Sequence, residues 1–346
     1  MIDDKDGHYI VKINENLSPR YKILRLLGQG TFGKVVECYD RVKKHCYAIK
    51  IIRAIQKYRE ASKIEIRVLS TIKEYDPLNL NKCIHLVEWF EHENHICMVF
   101  DLLGQSVFDF LKSNHFNPFP MNHIQHFAKQ ILTSIAFIHG LKLVHTDLKP
   151  ENILLVDNTA DSHHDGKSSD KPIFTLKNTE IRLIDFGSAT FEKDYHSLVV
   201  STRHYRAPEI ILGICWSYPC DIWSIGCIIV EFITGDALFQ THDNLEHLAM
   251  MEVALGKIPN KMKQLSILNG QTYFKNNDLQ YPTKDTTKQS KKYVKAMKPI
   301  EQILSRSKSE AHSLLLDLLK KMFQYDPHYR ITATEALRHP FFQINI

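Results

Sequence analysis

Val144-His-Thr-Asp-Leu-Lys-Pro-Glu-Asn152 packs an acid, a lysine and an amide into the six residues from Asp147 to Asn152. It follows a stretch in which Ile124, Phe127, Ile131, Ile135 and Ile138 recur at helical spacing, so it reads as a loop carried on the end of a long amphipathic helix. Asn122, with Gln125 three residues on, predicts a capping-box start for that helix. In the loop, Asp147 can accept or orient the proton of an attacking hydroxyl. Lys149 can neutralise a phosphoryl group in transfer, and Asn152 offers an oxygen to a magnesium ion. An idle polar loop would explain these residue types but not their order.

Downstream, Ile184-Asp-Phe-Gly187 sets an aspartate after the apolar run Ile181–Ile184, with glycine as a hinge. Asp185 is the natural second ligand for a hard divalent cation that bridges phosphates. Ala207-Pro-Glu209 closes the segment that Asp185 opens. Upstream, Gly28-Gln-Gly-Thr-Phe-Gly-Lys-Val35 is a glycine loop able to turn backbone N–H groups toward phosphate oxygens. The pattern is shared with dinucleotide folds, but here the strand-like Lys34–Tyr39 follows where a dinucleotide site needs a helix. Lys50, in the next strand with Ala48 and Ile49, is costly to bury without a partner. Glu65 supplies one. It lies on the helical face marked by Ala61, Ile64, Val68 and Ile72, and pairing would hold the Lys50 amine on the α- and β-phosphates.

The rest of the 346 residues frames this set. At 44% hydrophobic and 24% charged the chain is neither disordered nor fibrous. Its length exceeds the roughly 250–300 residues at which one core stops growing, so two lobes are expected. The longest apolar run, Ile225–Val230, is far short of the roughly 18 residues of a membrane span. The acidic first residues lack a secretory signal, which gives the expectation of a soluble intracellular protein. Seven scattered cysteines without a Cys-x-x-Cys pair predict reduced, mostly buried thiols. The net charge of +5 permits acidic partners without demanding nucleic acid.

Residues 1–20 read as a tail, 21–103 as a strand-rich lobe with strands at Lys34–Tyr39, Tyr47–Ile52 and Ile96–Phe100, and 104–346 as a helical lobe. Insertions fall near 157–179 and 265–300. Ser224–Ile233, apolar all round, predicts a buried helix. His163-His164 in the first insertion carries no metal-ligand spacing and reads as solvated loop.

In this order, glycine loop, strand lysine, helix glutamate, HxDxKxxN, DFG and APE resemble a eukaryotic protein kinase from about Tyr21 to Phe342. Glu246-His-Leu-Ala-Met-Met-Glu252 is similar to the signature of the LAMMER (CDC-like) dual-specificity kinases, with Val253 where that family has arginine. His145-Thr-Asp in place of His-Arg-Asp, Ser201-Thr-Arg-His-Tyr-Arg-Ala-Pro-Glu209 and the 157–179 insertion point the same way.

The resemblance implies an α+β, two-lobed fold: an antiparallel sheet lobe with one main helix, and a larger, mainly helical lobe. ATP and Mg2+ would occupy the cleft, touched by Leu27, Gly28, Gly30, Gly33, Val35, Ala48, Lys50 and Glu65. Phe100 would be the gatekeeper and Asp101–Leu103 the hinge on adenine. Asp221 would anchor the catalytic loop, and Glu209 and Arg330 would form a buried pair. Thr146, where arginine usually reads an activation-segment phosphate, predicts activity that depends little on such a phosphate. Tyr195, Ser197, Ser201 and Thr202 are candidate autophosphorylation sites, although hydroxyls are commonplace in a polar loop.

Family substrates are Arg/Ser-rich splicing factors. Glu151 is a candidate for a substrate guanidinium, and Asp109 for a second acid or a ribose contact. The implied enzyme is a monomer without direct nucleic-acid or membrane contact, nuclear, with the cytoplasm as alternative. A pseudokinase scaffold and a small-metabolite kinase stay open as rivals. The complete polar set weighs against the first, and the segment ending at Ala207-Pro-Glu209 against the second.

Overall fold

Tyr47, Ile49 and Ile51 project to one side of their strand while Ala48, Lys50 and Ile52 project to the other, so both sides need cover. In the computed structural model, which describes residues 2–163, 172–304 and 309–346, this strand sits at the centre of an antiparallel sheet. The sheet comprises β1 (Tyr21–Gly30), β2 (Gly33–Asp40), β3 (His45–Ile52), β4 (Leu86–His92) and β5 (His95–Asp101), in the order β1-β2-β3-β5-β4. The expected strands fall inside β2, β3 and β5. Register sets Lys50 between Val35 and Met98, and Ala48 beside Phe100.

One side of β3 is covered from an unexpected quarter. Residues 2–20, expected as a tail, lie against the sheet. Leu17 is fully buried with Tyr21, Ile23, Val36, Ile49 and Ile51. Asp3 pairs with His95 at 2.7 Å, the Gly7 carbonyl accepts from the Ala54 N–H, and Lys34 Nζ donates to the Tyr9 carbonyl. Acidic, unpatterned residues gave no hint of this, because most of these bonds run through backbone groups that any sequence carries.

The other side packs on α1 (Gln56–Tyr75). Its inward face is Ser62, Glu65, Val68, Leu69 and Ile72, whereas Ile64, read as part of the apolar face, is exposed. The helix is rotated so that Glu65 falls at the centre of the contact, and the stripe moves one residue off Ile64.

Past α2 (Val107–Ser113) the chain turns helical. The long helix α3 (Met121–Gly140) buries Ile124, Phe127, Ile131, Ile135 and Ile138 as expected. The capping box does not form: Pro120 precedes the first turn and Asn122 lies inside it. Gln125 is buried instead, its amide donating to the carbonyls of Phe341 at 2.6 Å and Ile344 at 3.0 Å, which fastens the last residues to α3. After α3 come the short strands β6 (Leu143–Val144) and β7 (Ile153–Leu155).

The first insertion is a hairpin of β8 (Ala160–His163) and β9 (Ile173–Leu176). Asn114 docks it by exchanging two hydrogen bonds with the Phe174 backbone. His163 is exposed there, and His164 lies outside the described residues. Strand β10 (Ile181–Leu183) pairs with β7, and β11 (Thr190–Phe191) pairs with β6. Beyond α4 (Pro208–Ile211), helix α5 (Pro219–Thr234) is buried throughout from Cys220 to Ile233. Among the described residues no helix is long and apolar enough to cross a membrane. All seven cysteines are free; five are buried, Cys46 is partly so, and Cys215 is exposed.

The larger lobe closes around one ion pair. Glu209 in α4 takes two guanidinium bonds from Arg330, at 2.7 and 2.9 Å, with both side chains fully buried. Removing one partner strands a charge in an apolar interior. Arg330→Met is therefore expected to cost about 3–5 kcal/mol, read as a lower denaturant midpoint, and Glu209→Leu in the same chain should return much of it.

Candidate active site

Between the lobes lies a cleft of about 640 Å3. Leu27, Gly28, Gly30, Gly33, Val35, Ala48 and Lys50 line it from β1–β3, and Glu65 from α1. Phe100, Asp101 and Leu103 reach it from the end of β5, and Asp109, Glu151, Asn152 and Asp185 from the helical lobe. Side chains scattered over some 160 positions of sequence thus share one space. Two expected residues, Asp147 and Lys149, fall outside this lining and face the activation segment instead. Ile84 and Leu154, which no motif singled out, add an apolar wall together with Ile184, the residue before Asp185.

The glycines divide by role. A Cβ on Gly33 would stand 2.0 Å from the Ile51 carbonyl oxygen, so the sheet itself demands glycine there. On Gly28 or Gly30 a Cβ would meet nothing within 4 Å. Those two leave room that a ligand's oxygens could fill.

Lys50 Nζ donates to both Glu65 oxygens, at 2.8 and 2.9 Å, and lies 3.6 Å from Asp185 Oδ1. Burial works against the ammonium, but the two carboxylates outweigh it and hold its pKa above the usual lysine value. The amine stays charged and fixed. Arg67, two residues past the paired glutamate, bonds Asp194 at 2.7 Å and covers the Phe191 ring. Helix α1 is thereby tied to the activation segment.

The loop before Asp147 is bent under constraint. Thr146 has a φ of 71°, in the left-handed region that β-branched residues avoid. Asp221, at the start of α5 and buried, accepts from the His145 and Thr146 N–H groups, each at 2.9 Å, with the His139 ring 2.9 Å away. Thr146 donates to the Ser188 carbonyl and its own carbonyl accepts from the Ser201 hydroxyl at 2.6 Å. The Asp147 carboxylate takes the Thr202 N–H at 2.9 Å, the Thr202 hydroxyl at 2.7 Å and Lys149 Nζ at 2.8 Å. Burial alone would raise its pKa; these bonds prevail and keep it below the usual range. Asn152 donates to the Asp147 carbonyl through Nδ2, which turns its Oδ1 free for other use.

Asn152 and Asp185 offer a magnesium ion one amide and one carboxylate oxygen in the same cleft. Mg2+ commonly takes one or two protein oxygens and completes its shell with water and phosphate, so the donor set fits. Among the described residues no cluster of three His, Cys, Asp or Glu could hold a metal alone.

Residues 21–342 match the protein kinase domain family. The chain belongs to the protein kinase family. It is 57% identical over 343 residues, 98% of this chain and 49% of that protein, to the dual specificity protein kinase lkh1 of Schizosaccharomyces pombe. It is 47% identical over 344 residues, 99% of this chain and 70% of that protein, to the human dual specificity protein kinase CLK4. The chain thus spans about half the length of lkh1 and 41% of the Drosophila melanogaster serine/threonine-protein kinase Doa. A crystal structure of a kinase domain superposes with a TM-score of 0.89 at 36% identity, covering 98% of this chain and all of the other.

Within the kinase family the chain is of the LAMMER type. The signature lies in α6 (Asn244–Leu255), where His247, Leu248, Ala249, Met250 and Met251 are buried. The Glu252 carboxylate accepts from the Ile258 N–H and from Lys257. Val253, standing for arginine, points to the surface at 37% exposure, so the exchange leaves no hole in the core.

Of the two expected substrate acids, Asp109 has a local duty: it accepts the Ser106 hydroxyl at 2.7 Å, and Ser106 caps its N–H in return. Glu151 is raised above the usual carboxyl range, first by burial and then by Asp147 and Asp109. Sequence reading passed over Glu231. It is buried in α5, accepts from the Tyr205 hydroxyl at 2.7 Å, and is pushed up to about 7, chiefly by burial. An acid in an apolar helix was the available signal.

The Asp221 bonds give a direct test. Asp221→Ala leaves two N–H groups buried and unpaired, at about 1–3 kcal/mol each. Denaturant unfolding should show the loss, and hydrogen exchange at His145 and Thr146 should speed up first.

Proposed function

We propose that this chain transfers the γ-phosphoryl group of ATP to serine and threonine hydroxyls of proteins, and to tyrosine when it phosphorylates itself. The observation that carries the reading is the Lys50 amine, gripped by Glu65 within 4 Å of Asp185 in one cleft, with Asp147 on the adjoining loop. Lys50 would hold the α- and β-phosphates, and the glycine loop would cover them. Asn152 and Asp185 would hold Mg2+, whose charge offsets that of the phosphates when bound.

The Thr202 hydroxyl already donates to Asp147, so this carboxylate can receive an O–H from the segment side. A substrate hydroxyl in its place gives up its proton to Asp147 as its oxygen bonds to the γ-phosphorus. The bond from phosphorus to the β,γ-bridging oxygen breaks and ADP departs. Lys149, bonded to Asp147 and 3.1 Å from Thr202, stands ready to balance the charge in flight.

The substrate reading is Arg/Ser-rich protein, and the relatives' LAMMER kinship supports nuclear work on such targets. Glu151, Asp109 and the buried Glu231 concentrate negative potential beside the loop despite the positive net charge. Arginine is the side chain whose fork and permanent charge best repay such a desolvated acid. A monomer without direct nucleic-acid or membrane contact remains part of the proposal. A scaffold without transfer finds no support in a polar set this complete.

Autophosphorylation and transfer to an Arg-Ser repeat peptide are the expected outcomes, with Asp147→Asn slower by at least about 10^2-fold. No transfer by the unaltered chain would overturn the reading. Preference for a proline-directed peptide would overturn the arginine part alone.

The activation segment is held by bonds that need no phosphate: Ser201 to Thr146, Thr202 to Asp147, Arg67 to Asp194, and the Trp216 indole to the Ser197 carbonyl. Phosphatase-treated enzyme should therefore keep its rate on the peptide to within about threefold, a change of under 1 kcal/mol in barrier. Abolition of turnover would show that a phosphate is needed after all.

A further inference from the structure

The positive charge of this chain is concentrated in its second insertion. Residues 271–298 carry seven lysines against two aspartates, a surplus of five, which equals the net +5 of all 346 residues. Past α7 (Asn260–Leu268) this stretch leads into α8 (Lys288–Ala296). Lys288, Lys291, Lys292 and Lys295 recur there at spacings of three and four, so they share one face, and Lys298 follows just beyond the helix. All seven lysines are exposed, and among the described residues none of them makes an ion pair. The opposite side holds the helix to its lobe: Val294 is buried, and the Ser290 and Tyr281 hydroxyls bond at 2.7 Å.

Helix physics works against this arrangement. Lys288 faces Lys291 and Lys292, Lys295 faces the same two, and each like-charge pair weakens the helix. Lys288 also meets the positive end of the helix dipole, in a first turn that holds no acid. Thr287, whose hydroxyl caps the Ser290 N–H, and the buried Val294 keep the helix formed in spite of its charge. Single surface lysines are commonplace. A face that gathers the charge surplus against local helix preference marks a place where something other than folding sets the sequence.

The face suits an acidic protein segment. Tyr293 falls outside it, so no ring is offered for the bases of a nucleic-acid strand to stack on. Val294 turns toward the lobe, which leaves no aliphatic side chain on the lysine side to enter a bilayer. The reaction proposed above makes an acidic segment of its own. An Arg-Ser repeat starts out cationic and is repelled by the lysines; each transfer adds nearly two negative charges and turns the repeat net negative. Helix α8 packs on α6, and Asn244 at the start of α6 bonds Arg203, the neighbour of the Thr202 that bonds Asp147. With α6 twelve residues and so roughly 18 Å long, this is a path that about 15 extended residues cover. We infer that the lysine face of α8 docks the phosphorylated stretch of an Arg-Ser protein while Asp147 serves the next serine. The inference rests on the protein-kinase reading and on its arginine part.

The test compares the unaltered chain with a variant carrying Lys288→Gln, Lys291→Gln, Lys292→Gln and Lys295→Gln together. The probe is a fluorescent Arg-Ser peptide of about 20 residues with its serines phosphorylated, read by anisotropy. The variant should bind it roughly tenfold more weakly than the unaltered chain does, a gap that closes as salt rises. Transfer to an unphosphorylated Arg-Ser peptide of about eight residues, too short to reach α8 from Asp147, should be the same in both proteins, which also shows that the variant is folded. Equal binding of the phosphorylated peptide by both proteins overturns the docking face. So does tighter lysine-dependent binding of a duplex RNA or of phosphatidylserine vesicles, which would assign the face to nucleic acid or to membrane. No transfer by the unaltered chain to the short peptide or to an unphosphorylated long one would sink the kinase reading and the docking face with it. Transfer together with lysine-independent binding sinks the docking face alone.

Discussion

A carboxylate taken out of water needs several donors at once, and Asp221 finds them in the backbone of another element. Its two oxygens collect the N–H groups of His145 and Thr146 and face the His139 ring, so the most buried helix of the larger lobe is joined to the loop that ends in Asp147. The join carries a cost. A threonine in left-handed backbone is strained by about 1–3 kcal/mol, a strain that persists only where surroundings over-determine it. Here they do, through Ser188 and Ser201 as well as Asp221. The direction in which Asp147 points follows from that set.

The small lobe answers to a parallel constraint. Lys50 is fixed to the sheet by register and Glu65 to the helix by its inward face, and only one rotation of α1 lets them meet. Arg67, on the same helix, extends the coupling to Asp194. The cleft is therefore set by charge pairs that cross from one element to another, on top of the apolar packing beneath.

Much of this could be read from the residues. Motif order located the cleft-lining side chains, the period of α3 gave its helix because burial on one side writes a repeating pattern, and the all-round apolar run of α5 gave a buried one. What escaped did so for physical reasons. Ile64 was assigned to the inward face since hydrophobicity counts a solvent-facing isoleucine like any other. Asn122 was assigned a cap that Pro120 displaced. The Asp147–Thr202 and Gln125–Phe341 contacts join residues distant in sequence through one or two bonds, and so few leave no period. The acids fared differently: Glu65, in an apolar stripe, had a strand lysine to pair with, whereas Glu231, equally an acid in an apolar helix, is met by the Tyr205 hydroxyl, which carries no charge to mark it in the sequence.

The strip of chain before Tyr21 changes what counts as the unit. The family match begins at Tyr21, yet Leu17 completes the outer cluster over Ile49 and Ile51, and the Gly7 and Tyr9 carbonyls latch the start of the helix connection and the glycine-loop strand. The family model and the packing thus draw their borders in different places, although similarity to lkh1 runs over 98% of the chain. A chain trimmed to the stretch from Tyr21 would wet the far side of its own sheet, and an oily β-surface left bare tends to find another copy of itself.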